Sequence, residues 1–235
     1  QVTYIYDIFS KKLTEVAPFT VDFLLPSGAE NLNYVLYTDE SPYKMQREWL
    51  DRLPFDIYSV NVHTGAKRLI GRSYRTAPKW SVNGKWAVMY DPIAQVWNKF
   101  DGATGKVVNI SDAIGYPMFM ESYDKPAPAP AYGIAGWTAD GNNVFLYDAY
   151  DWWKIDLTGE RQPECLTKGY GRKHGKSIRK MTSNIDKDVF QKDEKVIVSL
   201  WDKDTMDEGV YQLDMKGRLR KLMEGNYVYL SLIHI

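Results

Sequence analysis

A chain of 235 residues is long enough for one large all-β domain, and an aromatic content of 14% suits stacked sheets. The 30 basic and 30 acidic residues cancel, so the net charge gives no reason to expect a nucleic acid or an anionic membrane as partner. The apolar runs are far too short to span a bilayer. A single cysteine, Cys165, excludes an internal disulfide framework, and its place on a predicted strand indicates a buried, unreactive thiol.

Taken in chain order, the predicted elements are short strands that end in tight turns. Two segments, Lys79–Lys106 and Gly136–Gly159, share the order Trp, three residues, Gly, five residues, Tyr-Asp. Equivalent residues lie 57 positions apart (137 − 80 and 148 − 91), namely Trp80, Gly84, Tyr90 and Asp91 in the first segment and Trp137, Gly141, Tyr147 and Asp148 in the second. Because Gly and Asn tolerate the positive φ of tight turns, each segment predicts antiparallel strands joined by short connections.

A looser pattern recurs more often, as an aromatic residue followed by a few residues, a polar turn and glycine. It covers Tyr58–Gly65, Trp97–Gly105, Trp153–Gly159 and Tyr211–Gly217. Residues 4–13, YIYDIFSKKL, form a frayed fifth copy near the start of the chain. Repeats of this size built from short strands are typical of β-propellers, in which stacked blades bury each other's faces.

We therefore predict an all-β fold, a partial β-propeller of about four blades of four antiparallel strands, forming an open arc over residues 1–229. Trp80 and Trp137 are expected at equivalent buried places in successive blades. The Asp that follows each Tyr is expected to hold a turn by accepting backbone N–H groups. An open arc exposes an apolar face at each end, so sedimentation of residues 1–229 should show concentration-dependent oligomers.

The last six residues, 230–235, have the sequence LSLIHI. A widely used sequencing-library adaptor encodes these residues when it is read in frame, as CTG TCT CTT ATA CAC ATC. We therefore predict that the native sequence stops near Tyr229 and that the chain is an interior part of a longer protein. On this interpretation His234 belongs to the tail and has no functional meaning.

The two other histidines do not lie in a catalytic pattern. His63 stands in the turn NVHTG, where a solvated side chain is expected, and His174 stands in the basic, glycine-rich segment Gly169–Lys180. A phosphate-binding loop needs Gly five residues before Gly-Lys-Ser, where this chain has Tyr170, and a nucleophile elbow needs a final Gly, where it has Arg179. We predict a solvated loop between blades for this segment and no catalytic residue in the chain.

No metal site or cofactor is predicted either. Asp202–Gly209 resembles a calcium loop, but an EF-hand needs an oxygen ligand at position five and Gly at position six, where Met206 and Asp207 stand. An acidic hairpin tip is expected there instead. Histidine and cysteine lack zinc spacing, and the carboxylates alternate in turns without an isolated acid–base pair. Asp124–Gly133, DKPAPAPAYG, predicts an extended connection that leads into a blade.

The segment Tyr132–Gly159, followed by ECLTKGYGRK at 164–173, resembles the propeller of serine peptidases of the prolyl oligopeptidase family, most of all the large bacterial members. The resemblance extends from about Phe55 to Gly225. It implies a separate α/β-hydrolase domain with the Ser, His and Asp of the triad, and a peptide substrate that the propeller sieves. The family's catalytic motif is not present in this sequence, so no catalytic residue is assigned. Some relatives hold a substrate's amino terminus with propeller glutamates; Glu121 precedes a blade, but its neighbours do not match.

Two other classes remain open. One is a non-catalytic, TolB-like propeller scaffold for protein contacts, and the other is a propeller enzyme acting on glycosides through carboxylates on its axis. A Gly-x-Ser-x-Gly motif beyond Tyr229 in the genome would favour the peptidase, whereas an early stop codon would favour the scaffold. Asp and Glu pairs on the axis would favour the glycosidase. The peptidase hypothesis implies a peptide and an α/β-hydrolase domain as partners, and we prefer an exported location to the cytoplasm.

Overall fold

The computed structural model describes residues 2–18, 23–26, 33–50, 52–181 and 188–225. The predicted adaptor-encoded tail at 230–235 lies outside these described residues. The chain divides into two compact units, Gln1–Asn109 and Ile110–Ile235.

The first unit consists of short strands and one 3₁₀ helix. Its strands are β1 (Thr3–Asp7), β2 (Lys12–Ala17), β3 (Phe23–Leu25), β4 (Tyr34–Asp39), β5 (Phe55–Asn61), β6 (Lys67–Tyr74), β7 (Lys79–Trp80), β8 (Trp86–Asp91), β9 (Val96–Asp101) and β10 (Val107–Asn109). The 3₁₀ helix, Ser41–Gln46, lies between β4 and β5, and Pro42 stands in its first turn, where a missing N–H costs no hydrogen bond.

The second unit adds nine strands and one short helix to the described residues. The strands are β11 (Ile134–Thr138), β12 (Asn143–Tyr147), β13 (Trp152–Asp156), β14 (Glu164–Cys165), β15 (Lys176–Lys180), β16 (Val189–Phe190), β17 (Lys195–Asp202), β18 (Glu208–Asp214) and β19 (Leu219–Gly225). The helix α1, Tyr170–Lys173, lies between β14 and β15. The described residues contain no helix that is long and apolar enough to cross a membrane.

The described strands form four antiparallel meanders of four strands, the blade architecture of a β-propeller. Blade 1 is β3–β6, blade 2 is β7–β10, blade 3 is β11–β14, and blade 4 consists of β15, β17, β18 and β19. Strands β1 and β2 form a separate hairpin. The predicted all-β class and the predicted four-stranded blades are confirmed.

Trp80 and Trp137 occupy equivalent positions on the first strands of blades 2 and 3. Trp80 pairs with Ala87 and Trp137 with Val144, so the register also repeats after 57 positions (144 − 87). The predicted equivalence and the predicted burial of Trp137, which is 6% exposed, are confirmed, but the predicted burial of Trp80 is wrong, since that side chain is only partly buried. The Trp80 indole donates Nε1–H to the carbonyl oxygen of Leu25 at 3.0 Å, so its polar edge is satisfied by blade 1.

The glycine and the aspartate of the repeat have the same backbone roles in both blades. Gly84 and Gly141 have φ angles of 65° and 69°, in the left-handed region that favours glycine. Through Oδ1, Asp91 accepts the N–H groups two and three residues later at 2.9 and 3.0 Å. Asp148 does the same at 2.7 and 2.5 Å. The prediction that this Asp holds a turn is confirmed.

The looser repeat marks the third strand of each blade. Tyr58, Trp97, Trp153 and Tyr211 lie on β5, β9, β13 and β18. The turn after each of these strands contains a glycine with positive φ, at Gly65, Gly105, Gly159 and Gly217. In the frayed fifth copy, the β1–β2 hairpin closes with Lys11 at a φ of 53°. The repeat therefore specifies the turn into the outer strand of each blade.

Apolar side chains from adjacent blades share common cores, as the stacking hypothesis requires. In the first unit, one cluster contains Leu36, Phe55, Ile57, Tyr74, Ala87, Met89 and Phe100 from blades 1 and 2. In the second unit, Phe145 and Trp152 of blade 3 share a cluster with Val198 and Leu213 of blade 4. This burial between neighbours supplies the main free energy of folding for single blades that cannot cover their own faces.

Strand β16 departs from the predicted four-stranded pattern. It pairs in parallel with β11, where Trp137 opposes Val189 and Thr138 opposes Phe190, and so adds a fifth strand to the sheet of blade 3. Gly136 permits this approach, because a Cβ atom there would lie 2.6 Å from the Phe190 ring. No sequence pattern predicted this pairing.

Candidate functional site

Both histidines considered as catalytic candidates lie in exposed turns. His63 follows β5, and its backbone N–H donates to Asn61 Oδ1 at 3.0 Å. The exposed His174 ring stacks on Tyr170 with 4.1 Å between ring centroids, and its Nδ1 lies 2.8 Å from the Tyr170 carbonyl oxygen. The predicted solvated turn at His63 is confirmed.

The segment Gly169–Lys180 differs from the predicted solvated loop. It forms α1 and then β15, the first strand of blade 4, in which Ser177 and Ile178 are buried. Ile178 belongs to the apolar cluster between blades 3 and 4. The many lysines and arginines of this segment led to the prediction of a solvated loop, but on β15 Arg179 donates to internal backbone carbonyls and the Lys180 side chain is only 5% exposed.

Asp202–Gly209 forms the predicted acidic hairpin tip between β17 and β18. Asp202 Oδ1 accepts the N–H groups of Asp204 at 2.9 Å and Thr205 at 3.2 Å. Across the part of the chain that the structure describes, no group of three His, Cys, Asp or Glu side chains is placed to hold a metal ion.

The connection that contains Asp124–Gly133 is irregular, with a single bridge between Phe119 and Ala131. Beside it, the Tyr132 hydroxyl accepts the N–H of Glu121 at 3.1 Å. The Glu121 carboxylate is partly exposed and lies 3.7 Å from the guanidinium of Arg172. A positive group thus already stands beside the glutamate that was considered for a substrate's amino terminus.

Asp148 is the centre of a buried polar cluster at the turn between β12 and β13. Its side chain is fully buried, and its Oδ1 is occupied by the turn N–H groups of Tyr150 and Asp151. Its Oδ2 accepts the indole N–H of Trp153 at 3.1 Å and Nη2 of Arg172 at 3.2 Å. Four donors therefore satisfy one carboxylate, which is what a buried negative charge requires.

Asp151, also buried, fastens the chain around α1 to the same turn. Its Oδ1 accepts the Thr167 hydroxyl at 2.6 Å and the backbone N–H of Gly171 at 2.9 Å. Its Oδ2 accepts the backbone N–H of Arg172 at 2.9 Å. A Cβ at Gly171 would lie 2.7 Å from the carbonyl oxygens of Tyr150 and Lys176, so only glycine allows this close packing.

Arg172 brings positive charge to this cluster. Besides its contacts with Asp148 and Glu121, its guanidinium lies over the ring of Tyr116 at 4.1 Å and over the ring of Tyr150 at 5.0 Å. These cation–π contacts are favourable at a partly desolvated site. Burial opposes the charge of Arg172, but Asp148 and Glu121 outweigh it and raise its pKa. Its buried Nε makes no hydrogen bond with a described residue.

Arg179, on β15, ties the same turn to blade 4 through backbone carbonyls. Its Nη2 donates to the carbonyl oxygens of Asp148 at 2.7 Å and Ala149 at 3.1 Å, and its Nη1 donates to that of Ile178 at 2.8 Å. The ring of Tyr147 lies 4.7 Å from its guanidinium carbon. Burial lowers the pKa of Arg179. This arginine therefore fixes the turn in place, while Arg172 faces a cleft.

The cleft, which we call the Asp148 cleft, has a volume of about 410 Å³. Its lining residues are Tyr116, Asp148, Asp151, Trp153, Cys165, Gly169, Arg172 and Lys173. Tyr116 is half-exposed at its rim and Trp153 is buried in its wall. Aromatic rings, an arginine and a lysine around a space of this size are suited to binding a short polar segment with one apolar side chain.

Cys165 and the two carboxylates of the Asp148 cleft are constrained by their surroundings. Cys165 lies on β14 as predicted, but it is half-buried rather than fully buried. Burial raises the pKa of this thiol, although the N–H of Gly169 donates to its Sγ at 3.2 Å, so the thiol stays protonated at neutral pH. The Asp148 and Asp151 carboxylates are occupied by donors, and this does not suit the acid and nucleophile of a glycosidase.

Sequence reasoning placed Asp148 in a turn but missed the cluster around it. The Arg172 side chain reaches Asp148 across 24 positions of sequence, and the Tyr116 ring comes from the irregular connection before blade 3. One sequence signal was available. Shortly after the repeated pair Tyr147-Asp148, blade 3 has a second aspartate, Asp151, followed by two tryptophans. Only one aspartate is needed to hold the turn, so a second one suggests contacts with another segment of the chain.

No protein-family model matches the chain, and the search of curated proteins finds no relative. Among solved structures, TolB from Acinetobacter baumannii matches with a TM-score of 0.40 and 12% identity, over 95% of this chain and 48% of that one. Acylaminoacyl peptidase from Pyrococcus horikoshii matches with a TM-score of 0.42 and 13% identity, over 87% and 32%. The β-propeller domain of the trilobed protease from Pyrococcus furiosus matches with a TM-score of 0.35 and 14% identity, over 86% and 70%. The chain spans less than half the length of the first two structures.

Proposed function

We propose that this chain is the non-catalytic, substrate-gating propeller portion of a serine peptidase that hydrolyses peptide bonds in oligopeptides. The observation that carries the proposal is the Asp148 cleft. Groups that can hold a peptide, namely Arg172, Lys173 and two aromatic rings, line a space whose cysteine thiol is protonated and whose two carboxylates are occupied by internal donors. Such a site can position a chain and cannot cleave it.

The sequence resemblance supports the same function. The likeness to the prolyl oligopeptidase propeller is densest from Tyr132 to Lys173, and this segment supplies all lining residues of the Asp148 cleft except Tyr116. In the proposed enzyme, the propeller restricts entry to flexible chains and orients them. A separate α/β-hydrolase domain, the proposed partner, supplies the serine, its histidine base and the oxyanion hole.

Two measurements on the purified chain test this proposal. A fluorophosphonate probe, which labels activated serines, should leave no stoichiometric adduct; such an adduct would show that the chain carries its own nucleophile. Binding of unstructured peptides, folded proteins and oligosaccharides should then be compared by calorimetry. Peptide binding supports the gating role. Binding of folded proteins without competition from peptides identifies a scaffold, and binding of oligosaccharides identifies a carbohydrate-active protein.

The genomic sequence downstream of residue 229 provides an independent test. A strand–turn–helix segment with Gly-x-Ser-x-Gly some hundreds of residues downstream is the expected result. A reading frame that stops soon after the last blade would contradict the peptidase assignment, because the hydrolase domain would then have no coding sequence.

A further inference from the structure

The carboxylates of the Asp148 cleft are occupied by hydrogen bonds within the protein, so the groups that remain for a ligand are hydrogen-bond donors. Asp148 accepts four hydrogen bonds, two through each oxygen, and Asp151 accepts three. An ionised carboxylate offers about four acceptor positions, so both aspartates are close to saturated by the protein itself. A ligand cation would have to displace these internal donors in order to bind either of them.

Arg172 and Lys173, in contrast, retain donor capacity. The Nη2 of Arg172 donates to Asp148 at 3.2 Å and lies 3.7 Å from Glu121, beyond hydrogen-bond distance, so an acceptor can approach this guanidinium more closely than Glu121 does. The Nε has no hydrogen-bond partner within the described ranges, but it is buried and is not the atom that a ligand contacts. The side chain of Arg172 is 26% exposed, so solvent and a ligand can reach part of it. Lys173 lies on the rim of the same cleft and is exposed.

We propose that the Asp148 cleft binds a carboxylate of a peptide, with Arg172 as the residue that contacts it. Arginine presents a planar fork of donors that matches a carboxylate, which makes such pairs short and geometrically specific. Without a ligand, the Glu121 carboxylate lies 3.7 Å from the Arg172 guanidinium. The ligand carboxylate takes this place and binds the guanidinium at hydrogen-bond distance. The choice of a peptide as ligand rests on the proposed function.

The aromatic walls of the cleft indicate which side chain the bound peptide should have next to its carboxylate. The Tyr116 ring lies 6.1 Å from the ring of Trp153, centroid to centroid, and Arg172 lies against the face of Tyr116. The two rings are in contact with each other at this distance, so they form one aromatic surface beside Arg172, and an aromatic or a large apolar side chain of the ligand can pack on it. Lys173 at the rim adds a second positive charge that favours an anion.

The test compares three peptides on the full chain by calorimetry. Acetyl-Ala-Phe carries a free terminal carboxylate, its carboxamide carries none, and acetyl-Asp-Phe-amide carries a side-chain carboxylate. We expect the carboxamide to bind about tenfold to hundredfold more weakly than the better of the two carboxylate peptides. Tighter binding of acetyl-Ala-Phe assigns the site to chain ends, and tighter binding of acetyl-Asp-Phe-amide assigns it to acidic side chains.

Three variants make the result specific to the cleft. Arg172→Lys keeps the charge but removes the fork, and it should weaken carboxylate binding about tenfold. Glu121→Gln removes the competing carboxylate, and it should strengthen binding about threefold to tenfold. Arg161→Lys is the same exchange at an exposed site outside the cleft, and it should leave the affinity unchanged. Because Glu121 is exposed, its variant tests the proposal even if Arg172→Lys does not fold.

The outcomes separate this inference from the proposed function. Equal binding of the acid and the amide, or weaker binding by Glu121→Gln, overturns the carboxylate site but leaves a peptide-binding propeller. If none of the three peptides binds, and folded proteins do, both the carboxylate site and the gating function are overturned.

Discussion

The turns of blade 2 and blade 3 start from the same Tyr-Asp pair and end in different surroundings. In blade 2, Tyr90 pairs with Trp97, and Ile93 in the turn between them is 66% exposed. In blade 3, Tyr147 pairs with Trp152. The paired residues are 5 positions apart in blade 3 (152 − 147) and 7 in blade 2 (97 − 90), so the connection in blade 3 is shorter by two residues. The Asp148 that follows is fully buried.

This difference shows that the repeat specifies the strands and the turn aspartate, whereas the length and residues of the connection determine which side chains contact that aspartate. The backbone role of the aspartate is the same in both blades, since Oδ1 accepts the same two turn N–H groups. In blade 2 the Asp91 side chain also interacts with the Tyr74 hydroxyl. In blade 3 the other oxygen of Asp148 accepts from Arg172 and from Trp153, which stands at the position that Asn98 has in blade 2. The same arrangement of strands can therefore carry different side-chain clusters at equivalent turns.

The largest expected effect tests the unequal burial of the two repeated tryptophans. Trp137→Ala should lower the free energy of unfolding by about 3–5 kcal/mol, because it empties a buried aromatic site. Trp80→Ala should cost less, about 2–3 kcal/mol, because part of that ring is already in contact with water. Urea denaturation followed by circular dichroism measures both. Trp201→Ala, at a position 37% exposed, is the control and should cost under about 1 kcal/mol; equal costs at 80 and 137 would contradict the difference in burial.

The next effect addresses the repeated aspartates directly. Asp148→Asn should cost about 2–3 kcal/mol, because it leaves the partly buried Arg172 with only the more distant Glu121 as ionic partner. Asp91→Asn should cost less, about 0.5–1 kcal/mol, since an amide oxygen can still accept the turn N–H groups and only the neutral Tyr74 hydroxyl loses a charged partner. Combining Asp148→Asn with Arg172→Met should cost less than the sum of the single changes, as a double-mutant cycle would measure. Additive costs would show that the ion pair contributes nothing.

Because blades 2 and 3 have the same turn at equivalent positions, we expect substitution of the turn glycine to cost the same stability in both. Gly84→Ala and Gly141→Ala should each cost about 1–2 kcal/mol, because each residue has a left-handed φ that a Cβ disfavours. Thermal or urea unfolding of the two variants should agree to within about 0.5 kcal/mol. Gly115→Ala is a matched control, since a Cβ at that position meets nothing within 4 Å.

The smallest expected effect concerns acid sensitivity. Hydrogen bonds from the Thr138 hydroxyl and the Asn142 N–H lower the pKa of Asp140 below its ordinary value of 3.8, while blade 2 has Asn83 at the equivalent position. Because the folded state lowers this pKa, the stabilisation is present above pH 3.8 and is lost as the pH falls through the folded-state value. Asp140→Asn should therefore flatten the decline in stability below pH 4, and Asn83→Asp should steepen it. Melting temperatures measured across this range decide the matter, and unchanged profiles for both exchanges would refute it.

The blades could be predicted from sequence because the information that specifies them is local. Each contains an aromatic strand, an aspartate or asparagine at its turn, and a glycine where φ is positive, as at Gly65 and Gly217. These features lie within a few residues of each other and are repeated. The unequal burial of Trp80 and Trp137 was beyond such reasoning, since burial depends on the neighbouring blade and not on the strand itself.

The Asp148 cleft could be predicted only in part, for the same physical reason. The aspartate and its turn are local, but Arg172, Tyr116 and Glu121 reach it from segments before blade 3 and after it. The resemblance to a peptidase propeller is densest over the segment that supplies most lining residues of this cleft, but it assigned no role to any of them. The strand β15 was missed because its basic residues conceal the alternation that marks a strand.

Strand β16 has a consequence for how the second unit opens. It lies between β15 and β17 in sequence, yet the N–H groups of Trp137 and Ala139 on blade 3 donate to the carbonyls of Asp188 and Phe190 beside and within it. Because only residues 191–194 join β16 to β17, separation of blade 4 from blade 3 strains these hydrogen bonds and favours exposure of the β11 edge. It also breaks the hydrogen bonds of Arg179 on β15 to the carbonyl oxygens of Asp148 and Ala149. Amide protons of the two blades should thus exchange with solvent in one cooperative event, at a free energy well above that of the β1–β2 hairpin.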